Sequence, residues 1–155
     1  MIKVLMVCLG NICRSPMAEY IFRDMAEKRG LGEMLLCESA ATSPEELGNP
    51  VYPPAKRKLY QLGIDCGRKR ARTLTKADYA RYDFLIGMEQ RNLSAMRRIC
   101  GGDPEGKIHL LLEDSISPRD IADPWYTGDF DTACRDIQEG CAAWLNRLER
   151  QLNKE

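Results

Sequence analysis

The N-terminal part of the chain holds a strand–loop–helix unit built around a cysteine and an arginine. The apolar run Ile2–Val7 predicts a buried strand, and the tight loop Cys8–Arg14 follows it directly. Ser15 and Pro16 are typical of an N-cap and a first helical position, and Glu19 is expected to complement the positive end of the helix dipole. Such a loop directs successive backbone N–H groups toward one point at a helix N-terminus, which creates an anion-binding cradle.

The side chains of this unit are those that nucleophilic phosphoryl transfer requires. Cys8 is placed beneath the cradle, where positive potential favours the thiolate, and the planar fork of Arg14 can hold two oxygens of a phosphate. Ser15 can donate its hydroxyl to the thiolate. Gly10 allows close backbone approach, and Asn11 tolerates the left-handed geometry of a tight loop. The predicted phosphate-binding residues are Leu9, Gly10, Asn11, Ile12, Cys13, Arg14 and Ser15.

Three other interpretations compete for the same residues. Cys8 and Cys13 could bind a metal, but a second ligand pair is missing and one histidine cannot complete a zinc site, so no metal site is predicted. They could form a thioredoxin-like redox pair, but that motif has two residues between its cysteines and not four. Cys8 and Arg14 could also be an incidental pair, but the strand before them and the Ser-Pro after them favour a site.

Composition restricts the class of protein. The 155 residues suit one core, so we expect a single domain over residues 1–155. Because 23 Lys and Arg residues balance 23 Asp and Glu residues, nothing indicates a nucleic-acid partner. The N-terminal apolar run is too short for a signal peptide, and no run approaches the roughly 18 apolar residues of a membrane span. Seven cysteines without a framework spacing favour a reducing compartment, so a cytoplasmic location is expected.

Strands and helices alternate along the sequence, which predicts an α/β fold. This alternation implies a four-stranded parallel sheet flanked by helices in three layers, with the phosphate-binding loop after strand 1. The predicted strands cover about residues 2–7, 34–41, 83–88 and 107–112. The predicted helices cover about 16–29, 55–62, 75–82, a segment that ends near 98, and 130–152, whose apolar stripe includes Cys134, Cys141 and Trp144.

The loop resembles the phosphate-binding loop of the low-molecular-weight protein tyrosine phosphatases, and the resemblance extends over essentially the whole chain. The matching segments are Val7–Pro16, Ser39–Ser43, Gly48–Pro50, Leu74–Tyr79 and Asp123–Tyr126. The resemblance implies hydrolysis of phosphotyrosine through a phosphocysteine on Cys8, without a cofactor. It also implies phosphotyrosine proteins as partners, including a bacterial tyrosine kinase, inorganic phosphate or sulfate in the loop, and a monomer or weak homodimer.

Further residue roles follow from this resemblance. Ser39 would hold Asn11 and keep the loop preformed, and a disulfide between Cys8 and Cys13 would protect the nucleophile reversibly. Tyr126 would form one wall of the substrate slot, while Trp125 could belong to the same wall or to the core. Many relatives have an aromatic residue in the opposite wall, where this chain has Glu45. The more acidic rim is expected to discriminate differently among phosphopeptides.

A phenolate is a poor leaving group without a proton, so a general acid is required. Asp123 is the candidate, because it follows the fourth predicted strand in a loop that Pro124 stiffens. Asp120 is the nearby competitor, and a solvated Asp-Pro turn is the alternative without a catalytic role. His109 lies in the middle of a predicted strand and is expected to be structural.

Other functions remain open on the same scaffold. Thioredoxin-coupled arsenate reductases share the loop but need a further cysteine pair, and Cys134 and Cys141 are expected to be buried in the last helix instead. Protein-arginine phosphatases resemble this chain but have a threonine where Ile12 stands, and Ile12 offers no hydroxyl for a guanidinium nitrogen. A phosphate-binding module without catalysis is disfavoured, because nucleophile, anion clamp and acid are all present.

Overall fold

A computed structural model describes residues 1–154 of the chain. Its four strands are β1 (Ile2–Cys8), β2 (Leu35–Ala41), β3 (Phe84–Gly87) and β4 (Ile108–Leu110). Its helices are α1 (Arg14–Lys28), α2 (Pro53–Gln61), α3 (Lys76–Arg81), α4 (Gln90–Cys100), α5 (Pro124–Thr127) and α6 (Phe130–Asn153).

The sheet is entirely parallel, with the strand order β2-β1-β3-β4. The predicted α/β class and the four-stranded parallel sheet are therefore confirmed. β1 lies in the interior of the sheet, and its last residue, Cys8, is in register with Ala41 at the end of β2. The carboxyl end of β1 consequently opens between neighbouring strand ends, which is where ligands bind in open parallel sheets.

Both faces of β1 are buried, which explains why its sequence is an almost continuous apolar run. Val4 and Met6 face a core that α1, α2 and α6 cover, with Trp144 at its centre. Leu5 and Val7 face a second core beneath α3 and α4. The two clusters produce the helix–sheet–helix layers that the alternating sequence predicts.

The element bounds differ from the predicted ones mainly at the C-terminal side of the sheet. β4 covers only Ile108–Leu110, because the chain enters a turn at Leu111. The short helix α5 is not predicted from the sequence. Asp123 caps it by accepting a hydrogen bond from the Trp125 N–H, and Gly128 ends it in a left-handed conformation.

Two expectations about the first helix are wrong. Ser15 is not the N-cap, because α1 begins at Arg14 and Cys13 occupies the cap position without a side-chain hydrogen bond. Glu19 does not complement the positive end of the helix dipole, because α1 begins at Arg14 and has no acidic residue in its first turn; the buried Glu19 carboxylate pairs with Arg23 and Lys69 instead. Both side chains instead form hydrogen bonds and ion pairs in the buried network beneath the Cys8 loop, and these contacts replace the expected ones at the helix terminus.

Candidate active site

The Cys8 loop, the loop after β2 and the loop after β4 meet in one pocket at the carboxyl end of β1. This pocket brings together the predicted nucleophile, arginine, acid and substrate walls. Its lining consists of Cys8, Leu9, Gly10, Ile12, Cys13, Arg14, Glu45, Glu46, Asp123, Trp125 and Tyr126.

Cys8 lies at the base of the pocket with hydrogen-bond donors around its sulfur. The backbone N–H groups of Asn11 and Ser15 donate to Sγ over 3.3 and 3.4 Å, and Ser15 Oγ lies 3.0 Å from the same atom. The side chain is 3% exposed. Hydrogen-bond donors directed at one sulfur can hold a negative charge that forms there.

Asn11 organises the loop from beneath. It is the only non-glycine residue with positive φ in the described part of the chain, at 59°. Its Oδ1 accepts from the Arg72 N–H at 3.1 Å, which fixes the amide orientation. Nδ2 therefore faces Ser15 Oγ and Ser39 Oγ, at 2.8 and 2.9 Å.

The donors and acceptors in this hydrogen-bond network can be assigned, because the Glu19 carboxylate can only accept and the Arg72 N–H can only donate. Ser39 Oγ is 2.5 Å from the buried carboxylate of Glu19 and donates to it. Ser15 Oγ already accepts from Asn11, so its own proton is free to point at Cys8 Sγ. The support roles proposed for Ser15 and Ser39 thus rest on defined contacts.

Arg14 is 1% exposed and its guanidinium is anchored on one edge. Nη1 donates to the Ile121 carbonyl at 2.8 Å and pairs with Glu89 Oε2 at 3.1 Å. Nη2 pairs with Asp123 Oδ2 at 3.3 Å. Two of the five guanidinium N–H groups donate hydrogen bonds, to Ile121 and Asp123, so three are not used in a hydrogen bond within residues 1–154 and can contact the oxygens of a ligand.

Asp123 and Asp120 lie in different surroundings. Asp123 lines the pocket, with Oδ2 toward Arg14 and Oδ1 accepting from the Trp125 N–H at 3.0 Å. Asp120 Oδ1 accepts from the Gln90 N–H at 3.0 Å, at the start of α4 and outside the pocket lining. The geometry therefore favours Asp123 over Asp120 as the acid.

The pocket is lined by aromatic and by acidic side chains. Trp125 and Tyr126 are 49% and 76% exposed and line one side, so Trp125 belongs to the wall and not to the core. Tyr52 supports Trp125 from behind, with ring centroids 4.7 Å apart. Glu45 and Glu46 also belong to the lining of this pocket.

Cys13 lines the pocket but is otherwise enclosed. It packs with Ile12 and Ala71 and is 5% exposed. Burial, reinforced by the negative charges of Cys8 and Asp123, raises the pKa of the Cys13 thiol to about 12. The thiol is therefore protonated at neutral pH.

Sequence reasoning missed Glu89, the Ile121 carbonyl, Arg72 and Lys69. Glu89 and Ile121 orient Arg14, Arg72 orients Asn11, and Lys69 lies 3.5 Å from Glu19. A charged residue two positions after β3, at the same sheet edge as Cys8, was the available signal for Glu89. The other contacts carry no signal in the sequence, because they depend on how distant loops fold together.

The remaining candidates are structural. His109 packs edge-on against Trp144 and its Nδ1 lies 2.8 Å from Glu113 Oε2, as expected for a structural histidine. Cys134 and Cys141 are buried on α6 in the first core, so this pair is not presented to the pocket. Among residues 1–154, no cluster of His, Cys, Asp and Glu has a geometry suited to a metal ion. No helix within the same range could cross a membrane.

These features define a phosphate-loop hydrolase of the low-molecular-weight type, and comparison with known proteins agrees. Residues 3–154 match the family model "Low molecular weight phosphotyrosine protein phosphatase". The chain belongs to this family.

Individual relatives match over nearly their full length. The low molecular weight protein-tyrosine-phosphatase YfkJ of Bacillus subtilis is 39% identical, covering 97% of this chain and 98% of that protein. Its crystal structure has a TM-score of 0.92, covering 97% and 96% of the two chains. The human low molecular weight phosphotyrosine protein phosphatase is 36% identical over 94% of each chain. The structure of a Drosophila arginine phosphatase is 28% identical, covers 95% and 98%, and has a TM-score of 0.87.

Proposed function

We propose that this chain is a protein tyrosine phosphatase that acts through a phosphocysteine on Cys8. The observation that carries the proposal is the position of Cys8 Sγ, with hydrogen-bond donors around it, at the base of a pocket that Arg14 and Asp123 also line. Nucleophile, anion clamp and acid thus converge on one cavity, at the base of a slot with an aromatic wall. The assignment is also supported by relatives such as YfkJ, which is named as a protein-tyrosine-phosphatase.

The first step transfers the phosphoryl group to sulfur. The Cys8 thiolate attacks phosphorus in line, so that a P–S bond forms as the P–O bond to the tyrosine oxygen breaks. Arg14 and the loop N–H groups hold the equatorial oxygens as charge redistributes among them. The carboxyl group of Asp123 donates its proton to the departing phenolate oxygen.

The second step releases phosphate. Asp123, now a carboxylate, takes a proton from a water molecule that attacks phosphorus. The P–S bond breaks and the electron pair returns to sulfur. The Ser15 hydroxyl donates to the regenerated thiolate and makes Cys8 a better leaving group, which the 3.0 Å contact between these atoms supports.

The slot is shaped for a phenyl ring. Trp125 and Tyr126 form its aromatic side, and Leu9 and Ile12 contribute apolar surface at the mouth. The aromatic side chains can stack on the ring of phosphotyrosine. Phosphoserine has no ring and makes fewer contacts with them, so phosphotyrosine is expected to be the better substrate.

Cys13 is proposed to protect Cys8 from irreversible oxidation. Peroxide converts the Cys8 thiolate to a sulfenic acid, which a second thiol can attack. The Cys13 sulfur then forms an S–S bond with Cys8 as the S–O bond breaks and water leaves. A reducing thiol restores both cysteines. The position of Cys13 in the lining of the same pocket supports this pairing.

The cellular setting is proposed as follows. The chain works as a single domain over residues 1–155, as a cytoplasmic enzyme, monomeric or weakly dimeric. Its substrates are phosphotyrosine proteins, including a tyrosine kinase, and inorganic phosphate or sulfate occupies the Cys8 loop as product or product mimic. No cofactor is required.

The test is steady-state turnover of phosphotyrosine, phosphoarginine and arsenate under the same conditions, with the wild type and Cys8→Ser. We expect phosphotyrosine to be hydrolysed fastest and Cys8→Ser to lose turnover while it still binds inorganic phosphate. Preference for phosphoarginine would replace the proposal with an arginine phosphatase, and thiol-dependent arsenate reduction would replace it with a reductase. Substantial activity in Cys8→Ser would overturn the nucleophile.

A further inference from the structure

Three carboxylates line the Cys8 pocket, and two of them, Glu45 (exposed) and Glu46 (half-buried), are called the rim carboxylates below. Glu45, Glu46 and Asp123 belong to its lining, and Arg14 is the only cationic side chain among the described lining residues. Arg14 is buried and already pairs with Asp123 and with Glu89, so its charge is directed at the phosphate site and not at the rim. A phosphate ester entering this pocket therefore passes two outer carboxylates that repel it.

The two rim carboxylates differ in their contacts. Glu46 Oε2 accepts a hydrogen bond from Asn49 Nδ2 at 2.6 Å, and its Cγ would lie 3.4 Å from a Cβ on Gly10 of the Cys8 loop. The backbone N–H of Glu45 donates to Ser43 Oγ, while its side chain is exposed. No ion pair to Glu45 or Glu46 occurs within residues 1–154. Both charges are consequently available to a bound molecule.

The segment that carries these residues is fixed at both ends. The Ser43 N–H donates to the Leu9 carbonyl at 3.0 Å, and the Gly48 N–H donates to the Ala71 carbonyl at 2.9 Å. Arg70 Nη1 adds a hydrogen bond to the Gly48 carbonyl. Because the backbone is already ordered, little conformational entropy is lost when a substrate contacts the rim.

We propose that Glu45 and Glu46 select phosphotyrosine segments that carry lysine or arginine next to the phosphotyrosine. This rests on the proposed tyrosine phosphatase function and names its substrate class. A cationic side chain beside the phosphotyrosine pairs with the rim carboxylates while the ring contacts Trp125 and Tyr126. An acidic neighbour adds to the repulsion instead.

The effect is moderate because the rim is exposed. Each exposed ion pair is expected to change kcat/KM by about two- to fivefold, so that two pairs give roughly four- to twentyfold. Salt screens such pairs, so raising the ionic strength from about 0.01 to 0.15 M should reduce the preference.

The test compares two phosphotyrosine peptides of equal length, one with lysine and one with glutamate on both sides of the phosphotyrosine. The measured quantity is the ratio of their kcat/KM values, each normalised to p-nitrophenyl phosphate hydrolysis by the same variant. The variants are Glu45→Gln, Glu46→Gln, the double variant and Glu45→Lys. Glu33→Gln is the matched control, because Glu33 is exposed just before β2, at the opposite end of the sheet.

We expect the lysine peptide to be preferred by the wild type and by Glu33→Gln, with the preference reduced in each single variant and lost in the double variant. Glu45→Lys should reduce the preference more than Glu45→Gln does, because one attractive pair becomes repulsive while Glu46 still attracts lysine. A wild-type ratio near one, or an unchanged ratio in the double variant, overturns the proposal. Peptide binding to Cys8→Ser gives the same ratio without turnover, so loss of phosphotyrosine hydrolysis itself contradicts only the proposed function.

Discussion

Asp123 Oδ2 lies 3.3 Å from Arg14 Nη2, so the proposed acid and the proposed phosphate clamp form an ion pair across the pocket. The oxygens of a phosphate monoester and the carboxylate of Asp123 are both anionic and therefore compete for the same donor. Removing the charge of Asp123 should strengthen phosphate binding even as it weakens catalysis. Stronger phosphate binding together with slower catalysis would indicate an acid role, whereas a purely structural role would weaken both.

Asp123→Asn tests the acid. The amide retains an oxygen that can accept from the Trp125 N–H and cap α5, but it cannot donate a proton to the leaving group as a carboxylic acid does. We expect kcat for phenyl phosphates with poor leaving groups to fall by roughly 10²–10⁴-fold, with a smaller loss for good ones. Steady-state kinetics over a leaving-group series measures this.

Asp120→Asn is the control for that series, because Asp120 contacts the Gln90 N–H at the start of α4. It should leave the dependence on leaving group unchanged. An equal loss across all leaving groups in Asp123→Asn would assign Asp123 a structural role. The expected loss appearing in Asp120→Asn instead would move the acid to that position.

Glu89→Gln tests the positioning of Arg14. The amide preserves the size of the side chain but removes the charge that pairs with Nη1 at 3.1 Å. We expect kcat to fall by about tenfold, because the guanidinium is less well oriented in the transition state. Inorganic phosphate should bind no more weakly, because a nearby negative charge has been removed.

The readouts for Glu89→Gln are kcat, the inhibition constant of phosphate and the thermal unfolding midpoint. Glu113→Gln is a matched change at a carboxylate that pairs with Arg147 outside the pocket. It should leave kcat unchanged. A parallel fall of kcat and phosphate affinity with a large drop in the unfolding midpoint would show that Glu89 serves only the fold.

Cys13→Ser tests the proposed disulfide. The reduced variant should keep most of its activity, whereas oxidation by peroxide should inactivate it irreversibly as Cys8 proceeds to the sulfinic acid. The wild type should recover with a thiol reductant, and mass spectrometry should find a Cys8–Cys13 disulfide in its oxidised peptides. Equal recovery of both proteins would show that Cys13 only packs beneath the loop.

The same disulfide has an expected pH dependence. Burial raises the pKa of Cys13 to about 12, so its thiolate fraction increases about tenfold for each pH unit below that value. Once the Cys8 sulfenic acid has formed, disulfide closure should accelerate by about tenfold for each pH unit, or about a hundredfold between pH 7 and 9, because the thiolate is the attacking form. Quenched-flow trapping of the sulfenic acid measures this rate, and a rate independent of pH would contradict attack by Cys13.

Asp78→Asn tests the support of the loop from α3. Although burial acts to raise the pKa of Asp78, hydrogen bonds from Arg72 and Thr75 hold it below its usual 3.8. Arg72 also donates its backbone N–H to Asn11. The ionised carboxylate therefore stabilises the folded protein above about pH 3.8, and this contribution is lost as the pH falls through the lower folded pKa.

We expect Asp78→Asn to lower the free energy of unfolding at pH 7 by about 1–3 kcal/mol, the cost of weakening a buried charge-assisted hydrogen bond. The difference from the wild type should shrink below pH 3.8. Denaturant unfolding over this pH range measures it, with Asp24→Asn as the control, since Asp24 pairs only with Lys28 on the surface of α1. A difference that is constant with pH would contradict the ionised contribution.

The strand–loop–helix unit shows how much of the fold is local information. The apolar run before Cys8 is typical of a strand buried on both faces, as in a parallel sheet with helices on each side. The loop is then predicted by two features: the spacing from Cys8 to Arg14, and the ability of Asn11 to adopt a left-handed backbone conformation. Position after a strand similarly predicted Asp123, because the carboxyl ends of parallel strands share one edge.

The details of the support network could not be predicted, because they depend on side chains from separate segments. Ser15 and Glu19 obey local capping rules in the sequence, yet the structure buries them because Ser39, Asn11 and Lys69 supply partners. Helix α5 likewise depends on a contact that the sequence did not predict, the hydrogen bond from the Trp125 N–H to the Asp123 side chain at its N-cap.

The sequence by itself therefore determined the sheet and the loop and predicted the candidate reacting groups, since these follow from periodicity and short-range spacing. Only the tertiary structure decided that Glu89 and the Ile121 carbonyl orient Arg14, and that Glu45 and Glu46 line the same pocket as Trp125 and Tyr126. The physical reason is that a loop's position relative to another loop depends on the packing of the whole core. No local pattern encodes that packing.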